Sequence, residues 1–187
     1  MTRPTLLLDC DGVLADFVSA YLKIVEFQLG RSHTPAEVTR WDINASLGIT
    51  GVDSSNVKRA IGNAPRLARN LAVYDGAKYG VSELLDLTDL YIVTSPWSSN
   101  PTWTHDREAW LFEHFGIRSN RVIHTSAKHM VRGDILVDDK TETLVEWRDA
   151  HPTGIPVMWS TPHNQGESWD GERTNSWQRL IEIVGQL

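Results

Sequence analysis

Asp9 and Asp11 stand directly after the apolar run Thr5-Leu6-Leu7-Leu8 and directly before Gly12-Val13-Leu14. This order predicts a buried strand that delivers two acids into a tight turn. A strand end holds both side chains on a rigid support, and a glycine beside them lets backbone approach an anion closely. Neighbouring carboxylates repel, so the pair is costly unless a cation or a proton offsets it. These are the requirements of phosphoryl transfer. Asp and Gly are also ordinary turn residues, so the motif by itself fits an acidic strand exit as well.

A second acidic pair, Asp138-Asp139, follows another apolar run, Ile135-Leu136-Val137. If the two strands lie side by side, several carboxylates converge on one point, and such a cluster is tolerable mainly around a hard divalent cation. Ligation by carboxylate and water oxygens favours magnesium over zinc or copper. The run Leu90-Tyr91-Ile92-Val93 ends in Thr94-Ser95-Pro96, hydroxyl and backbone donors suited to phosphate oxygens and equally common at strand exits. Lys128, ten residues before Asp138, supplies a point charge that can offset the acids and hold a phosphate.

Short apolar segments alternate with amphipathic ones, which predicts an α/β fold with a parallel sheet. The expected strands are Thr5 to Leu8, Leu90 to Val93, Arg121 to Ile123, Ile135 to Val137 and Pro156 to Trp159. The expected helices are Phe17 to Leu29, Ala77 to Leu87, His105 to Phe115, Thr143 to Ala150 and Ser176 to Val184. In the third of these, Trp110, Leu111, His114 and Phe115 share one face. Between Gly30 and about Asn70 the strand signal disappears, and Gly48, Gly51, Gly62 and Pro65 divide the region into short helical pieces. A capping box at Thr34-Pro35-Ala36-Glu37 predicts a helix running to about Trp41. The expected organisation is a core of residues 1–16 and 73–187 with a small helical cap, 17–72, inserted between its parts.

With 187 residues the chain can bury one good core, and a net charge of -6 argues against a nucleic-acid polymer or an anionic membrane as partner. The single cysteine, Cys10, can form no internal disulfide and is expected to be a buried spacer, consistent with a reducing compartment. No apolar stretch reaches signal-peptide or transmembrane length, so a cytoplasmic protein is expected. The dipeptide His105-Asp106 hints at a His-Asp phosphohydrolase, but it opens a helix, where an acid favours the dipole.

Asp9-Cys10-Asp11-Gly12-Val13, Thr94-Ser95, Lys128 and Asp138-Asp139 resemble, in order, the four motifs of the haloacid dehalogenase superfamily of phosphotransferases. Asp11 to Phe17, the Thr94-Ser95-Pro96 exit, the Trp110 to Gly116 helix end and Pro162-His163-Asn164 resemble the 5'(3')-deoxyribonucleotidase family. The resemblance implies a Rossmann-like core, a doubly wound, mainly parallel sheet with the site at the carboxyl ends of its strands. Asp9 would be the nucleophile that forms an aspartyl-phosphate, and Asp11 the general acid and base. Mg2+ would be held by Asp9, the backbone carbonyl of Asp11 and Asp138, with Asp139 nearby. Thr94, Ser95 and Lys128 would bind the phosphate, and Phe17 and Trp97 would line the substrate pocket. The implied substrate is a small phosphomonoester, a nucleoside monophosphate, and homodimers are common in the family. The chain departs from the family pattern at Ser98, Ser126 and Lys140, where a lysine and two arginines are usual. Two other readings share the motifs: a phosphatase of a sugar phosphate or other small metabolite, and a binding module without turnover, which would more readily have lost Asp9 or Asp11.

Overall fold

Leu6, Leu7 and Leu8 are all buried because their strand has neighbours on both edges and cover on both faces. The computed structural model describes residues 3–187, so positions 1 and 2 of the expected first core segment lie outside the described residues. The chain runs β1 (Thr5–Leu8), α1 (Phe17–Leu29), α2 (Ile43–Ser46), α3 (Gly51–Asn63), α4 (Ala77–Leu87), β2 (Asp89–Thr94) and α5 (Trp103–Phe115). It continues through β3 (Val122–His124), β4 (Ile135–Asp138), α6 (Thr141–Ala150), β5 (Ile155–Trp159), β6 (Glu172–Thr174) and α7 (Trp177–Val184).

All pairings are parallel, in the order β3-β2-β1-β4-β5-β6. The strand period of two sends Leu6 and Leu8 into a core with Leu84, Trp110, Leu111 and Leu180, and Leu7 into the opposite core with Leu144 and Trp147. The winding reverses between β1 and β4. Crevices that bind ligands in open parallel sheets lie at the carboxyl ends of strands where the winding reverses.

A third apolar cluster joins Tyr21, Leu22 and Val25 of α1 to Val38, Ile43, Ile49 and, from α3, Val57 and Ile61. Its entry and exit meet: the Asp16 N–H donates to the Ala72 carbonyl at 2.9 Å, and Ala15 bridges Val73. The capping box forms, with the Glu37 carboxylate accepting from Thr34 N–H and Oγ1, but the helix expected to reach Trp41 is a three-residue 3₁₀ turn, Pro35–Glu37. Val38 leaves the helical conformation to enter the third cluster, and Asp42 caps α2 instead through the Ala45 N–H at 3.0 Å. Gly51 opens α3 and Gly62 stands next to its last residue, so both mark ends of that helix. A Cβ on Gly62 would lie 2.6 Å from Ser99 Oγ, so this glycine permits a close approach of α3 to the loop after β2. The sixth strand has no apolar run to announce it, being three residues on the sheet edge.

Candidate active site

The parallel register brings Asp9, Thr94 and Asp138 to the same sheet edge from three adjacent strands. Asp9 immediately follows β1 and ties its end to β4 by donating its N–H to the Val137 carbonyl at 2.9 Å. Lys128 starts the 3₁₀ turn after β3, and its buried Nζ lies 2.7 Å from Asp9 Oδ1 and 2.7 Å from Asp138 Oδ2. Burial opposes the lysine charge, but Asp138 and Asp9 outweigh it and hold the pKa above its ordinary value. Burial, with Asp138 beside it, raises the Asp9 pKa to about 7 against the pull of Lys128. Burial and the charges of Asp9 and Asp138 raise Asp139 well above the usual carboxylate range.

One oxygen each from Asp9, Asp138 and Asp139 lies within 4.8 Å of the others, a buried group that could hold a metal ion. Asp138 Oδ1 accepts from the Lys140 N–H at 2.9 Å. The Asp139 carbonyl is fixed by Asn164 Nδ2 at 2.8 Å, and the same amide donates to the Trp159 carbonyl at 2.8 Å, which anchors the Pro162-His163-Asn164 turn to the site. Gly12, at φ +81°, completes the loop: a Cβ there would lie 1.8 Å from Asp139 Oδ2. Only glycine accommodates both that backbone conformation and that contact.

Thr94 ends β2 fully buried, and its hydroxyl has no hydrogen-bond partner among the described residues. Buried hydroxyls are usually bonded, so this one has capacity for a ligand oxygen. Ser95 is exposed and its hydroxyl donates to the Thr125 carbonyl at 3.3 Å, leaving its backbone as the group of interest. Phe17 and Trp97 come together, ring centroids 5.9 Å apart, and both also pack on Trp103. Beside Trp97 a cleft of about 540 Å³ is lined by Lys58, Arg59, Pro96, Ser98 and Ser99. His105 is exposed, and Asp106 accepts from Thr102 Oγ1 at 2.6 Å in the first turn of α5, as helix-start residues do. Cys10 is a buried spacer, its thiol pushed up by burial.

Two residues escaped the sequence reading. Arg107 of α5 is wholly buried and donates from Nη2 to Asp11 Oδ1 at 2.6 Å. Its signal was an arginine between Trp103 and Trp110 at helical spacing, a charge inside an apolar face. Trp41, in the turn before α2, is 56% exposed and lies under Lys140, whose Nζ is 4.0 Å from the ring centroid. No pattern marked that contact, because it joins segments a hundred residues apart.

The family model for "5' nucleotidase, deoxy (Pyrimidine), cytosolic type C protein" matches residues 3–187. The 5'(3')-deoxyribonucleotidase of Bacillus subtilis (strain 168) is 25% identical over 167 residues, covering 89% of this chain and 90% of the relative. A Bordetella pertussis (strain Tohama I) protein is 29% identical over 189 residues, covering 97% of this chain and 96% of its own. Among solved structures, the L-2-haloacid dehalogenase of Xanthobacter autotrophicus superposes with a TM-score of 0.59 at 14% identity, covering 100% of both chains. YfnB of Bacillus subtilis, solved bound to magnesium, superposes with a TM-score of 0.56 at 15% identity, covering 98% of this chain and 99% of its own. Those structures share the fold. With its whole described length matched, the chain belongs to the 5' nucleotidase, deoxy (pyrimidine), cytosolic type C family, and it is a phosphatase of the haloacid dehalogenase type.

Proposed function

We propose that this enzyme hydrolyses nucleoside monophosphates, deoxyribonucleotides foremost, to nucleoside and inorganic phosphate through an aspartyl-phosphate on Asp9. The observation that carries this reading is Lys128 held 2.7 Å from both Asp9 and Asp138, at the strand edge where the Thr94 hydroxyl lacks a partner. An Asp9 oxygen attacks phosphorus as the ester P–O bond breaks, and Asp11 gives a proton to the departing oxygen. Water then attacks the phosphoryl group, Asp11 takes the proton back, and the Asp9 carboxylate returns. Thr94, the Ser95 backbone and Lys128 bind the phosphoryl oxygens through both steps.

The donor set fits Mg2+. Asp9 and Asp138, with Asp139 beside them, offer clustered carboxylate oxygens, and the Asp11 carbonyl accepts no hydrogen bond among the described residues. When bound, the ion neutralises charge on the phosphoryl oxygens. Residues 17–72 act in this reading as a cap on the core formed by the rest. The adjacent entry and exit at Asp16 and Ala72 support it. Phe17 and Trp97 offer a nucleobase a stacking surface that a bare sugar phosphate cannot use.

Phosphate release from a panel of nucleoside monophosphates and sugar phosphates, with Mg2+ or with chelator, tests the reading. Activity is expected only with the metal and highest on deoxyribonucleotides. Asp9→Asn is expected to lower turnover ~10³-fold or more while the protein still folds cooperatively. Trp97→Ala is expected to cost roughly tenfold in kcat/KM on nucleotides, given stacking worth about 1–3 kcal/mol per base, with little effect on small phosphate esters. Near-normal turnover by Asp9→Asn excludes the covalent route. Sugar phosphates outperforming every nucleotide would reassign the substrate while leaving the chemistry in place.

A further inference from the structure

Trp103, Arg107 and Trp110 occupy one face of α5, four and three residues apart, and that face packs under the acidic loop. The Arg107 guanidinium lies 5.4 Å from the Trp103 ring centroid and 5.5 Å from that of Trp110. Nη2 donates to Asp11 Oδ1 at 2.6 Å, Nη1 lies 2.9 Å from Cys10 Sγ, and Nε is buried without a partner. Removing a guanidinium from water is costly, and a buried ion pair often stabilises a fold no better than apolar side chains of the same volume. An apolar residue between two indoles would fill this space without stranding Nε. The arginine is therefore poorly explained by core packing and well explained by the one catalytic group it touches.

Asp11 is the partner with something to gain. Its side chain is 24% exposed, one oxygen is held by Arg107, and the other has no protein donor among the described residues. A carboxyl group gripped through a single oxygen has a restricted plane and one oxygen free for proton exchange. We infer that Arg107 is a positioning residue for proton delivery: it fixes Asp11 through Oδ1 so that the remaining oxygen protonates the leaving group. As the ester P–O bond breaks, its electron pair passes to the leaving oxygen and the proton follows from Asp11. The Arg107 charge then sits beside the carboxylate left behind. This rests on the proposed role of Asp11 as acid.

The test compares two leaving groups. A deoxyribonucleoside 5'-monophosphate departs as an alkoxide that needs the proton, whereas p-nitrophenyl phosphate departs as a stable phenolate that does not. kcat/KM reports only steps up to that departure. In Arg107→Met, nucleotide kcat/KM is expected to fall about 10- to 100-fold, and its ratio to the aryl value at least about tenfold, a fraction of what general acids contribute. Arg107→Lys keeps the charge without the rigid fork and is expected to lower the ratio by less, about threefold or more. Because Arg107 acts through Asp11, the double variant Asp11→Asn/Arg107→Met is expected to match Asp11→Asn alone within about twofold rather than show the product of the two losses.

An equal fall on both substrates, or a multiplicative double variant, overturns the inference and leaves Arg107 a packing residue. If Arg107→Met does not fold, Arg107→Lys decides, and an unchanged ratio in it overturns the inference. Failure of the underlying reading of Asp11 as acid is distinct, because Asp11→Asn by itself would then leave the ratio between the two substrates unchanged.

Discussion

Asp139 shows how one side chain carries opposing demands. It is buried against Gly12, 3.5 Å from His163 Nε2, and its pKa is raised by burial and then by Asp9 and Asp138. A carboxylate whose folded pKa lies above the unfolded value favours the fold while protonated. That contribution is fully present below about pH 4 and is lost as pH rises through the raised pKa. Asp9, raised to about 7, follows the same sign. In chelator, Asp139→Asn is therefore expected to melt above the unmodified protein at pH 8 by ~1 kcal/mol, or about 2–4 °C, with the gap closing toward pH 4. Thermal melts across that range check it. A gap independent of pH would mean that Asp139 is not the group whose ionisation is penalised.

At the scale of elements, the site depends on joints between them. Asn100, in the loop after β2, donates from Nδ2 to the Ile61 carbonyl at 3.1 Å and the Ala64 carbonyl at 2.9 Å, closing the end of α3. Its Oδ1 accepts from the Thr102 N–H at 3.2 Å, so one buried amide joins the end of α3 to the start of α5. Asn100→Ala strands the part-buried Ala64 carbonyl, since the Ile61 carbonyl still accepts from the Ala64 N–H at 3.2 Å, and is expected to cost about 1–3 kcal/mol, read as a lower denaturation midpoint. A change under ~0.5 kcal/mol would show that water replaces the amide. Gly12→Ala attacks the other joint, where β1 turns into the acidic loop. The added methyl must displace the Asp139 carboxylate in a left-handed backbone, so loss of at least ~10²-fold in turnover is expected, since small displacements of positioned groups cost that much.

Across the whole molecule, four carboxylates, Asp9, Asp11, Asp138 and Asp139, face two buried cations, Lys128 and Arg107. Two formal negative charges remain at the switch in winding between β1 and β4, which a divalent cation would balance. A ligand that binds only the folded state at a hundredfold excess over Kd adds about 2.7 kcal/mol. Mg2+ is therefore expected to raise Tm by about 5–10 °C, more at pH 8 than at pH 5, where protonated acids need it less. The absence of any shift, with activity unaffected by chelator, would remove the metal from the mechanism. Among the described residues no helix is long and apolar enough to cross a membrane.

The acidic loop and its strand were legible because their information is local: a three-leucine run must be buried, and Asp9, Asp11 and Gly12 follow it directly. The same holds for Thr94, Lys128 and the Asp138-Asp139 pair, each at or just past a strand end, and parallel strands bring such ends together on one edge. The helical character of residues 30–70 was legible chiefly as the absence of strand signal. The internal boundaries of that region depended on where Val38 and Asp42 find partners, which is a matter of packing among α1, α2 and α3. The three polar residues of β6 pair with β5 only once the rest of the sheet exists. Arg107 is the sharpest case. A helical face with one charge in it is visible in the chain, but its ion pair spans ninety-six residues, and only the packing of α5 beneath β1 decided that the charge would meet Asp11 rather than water.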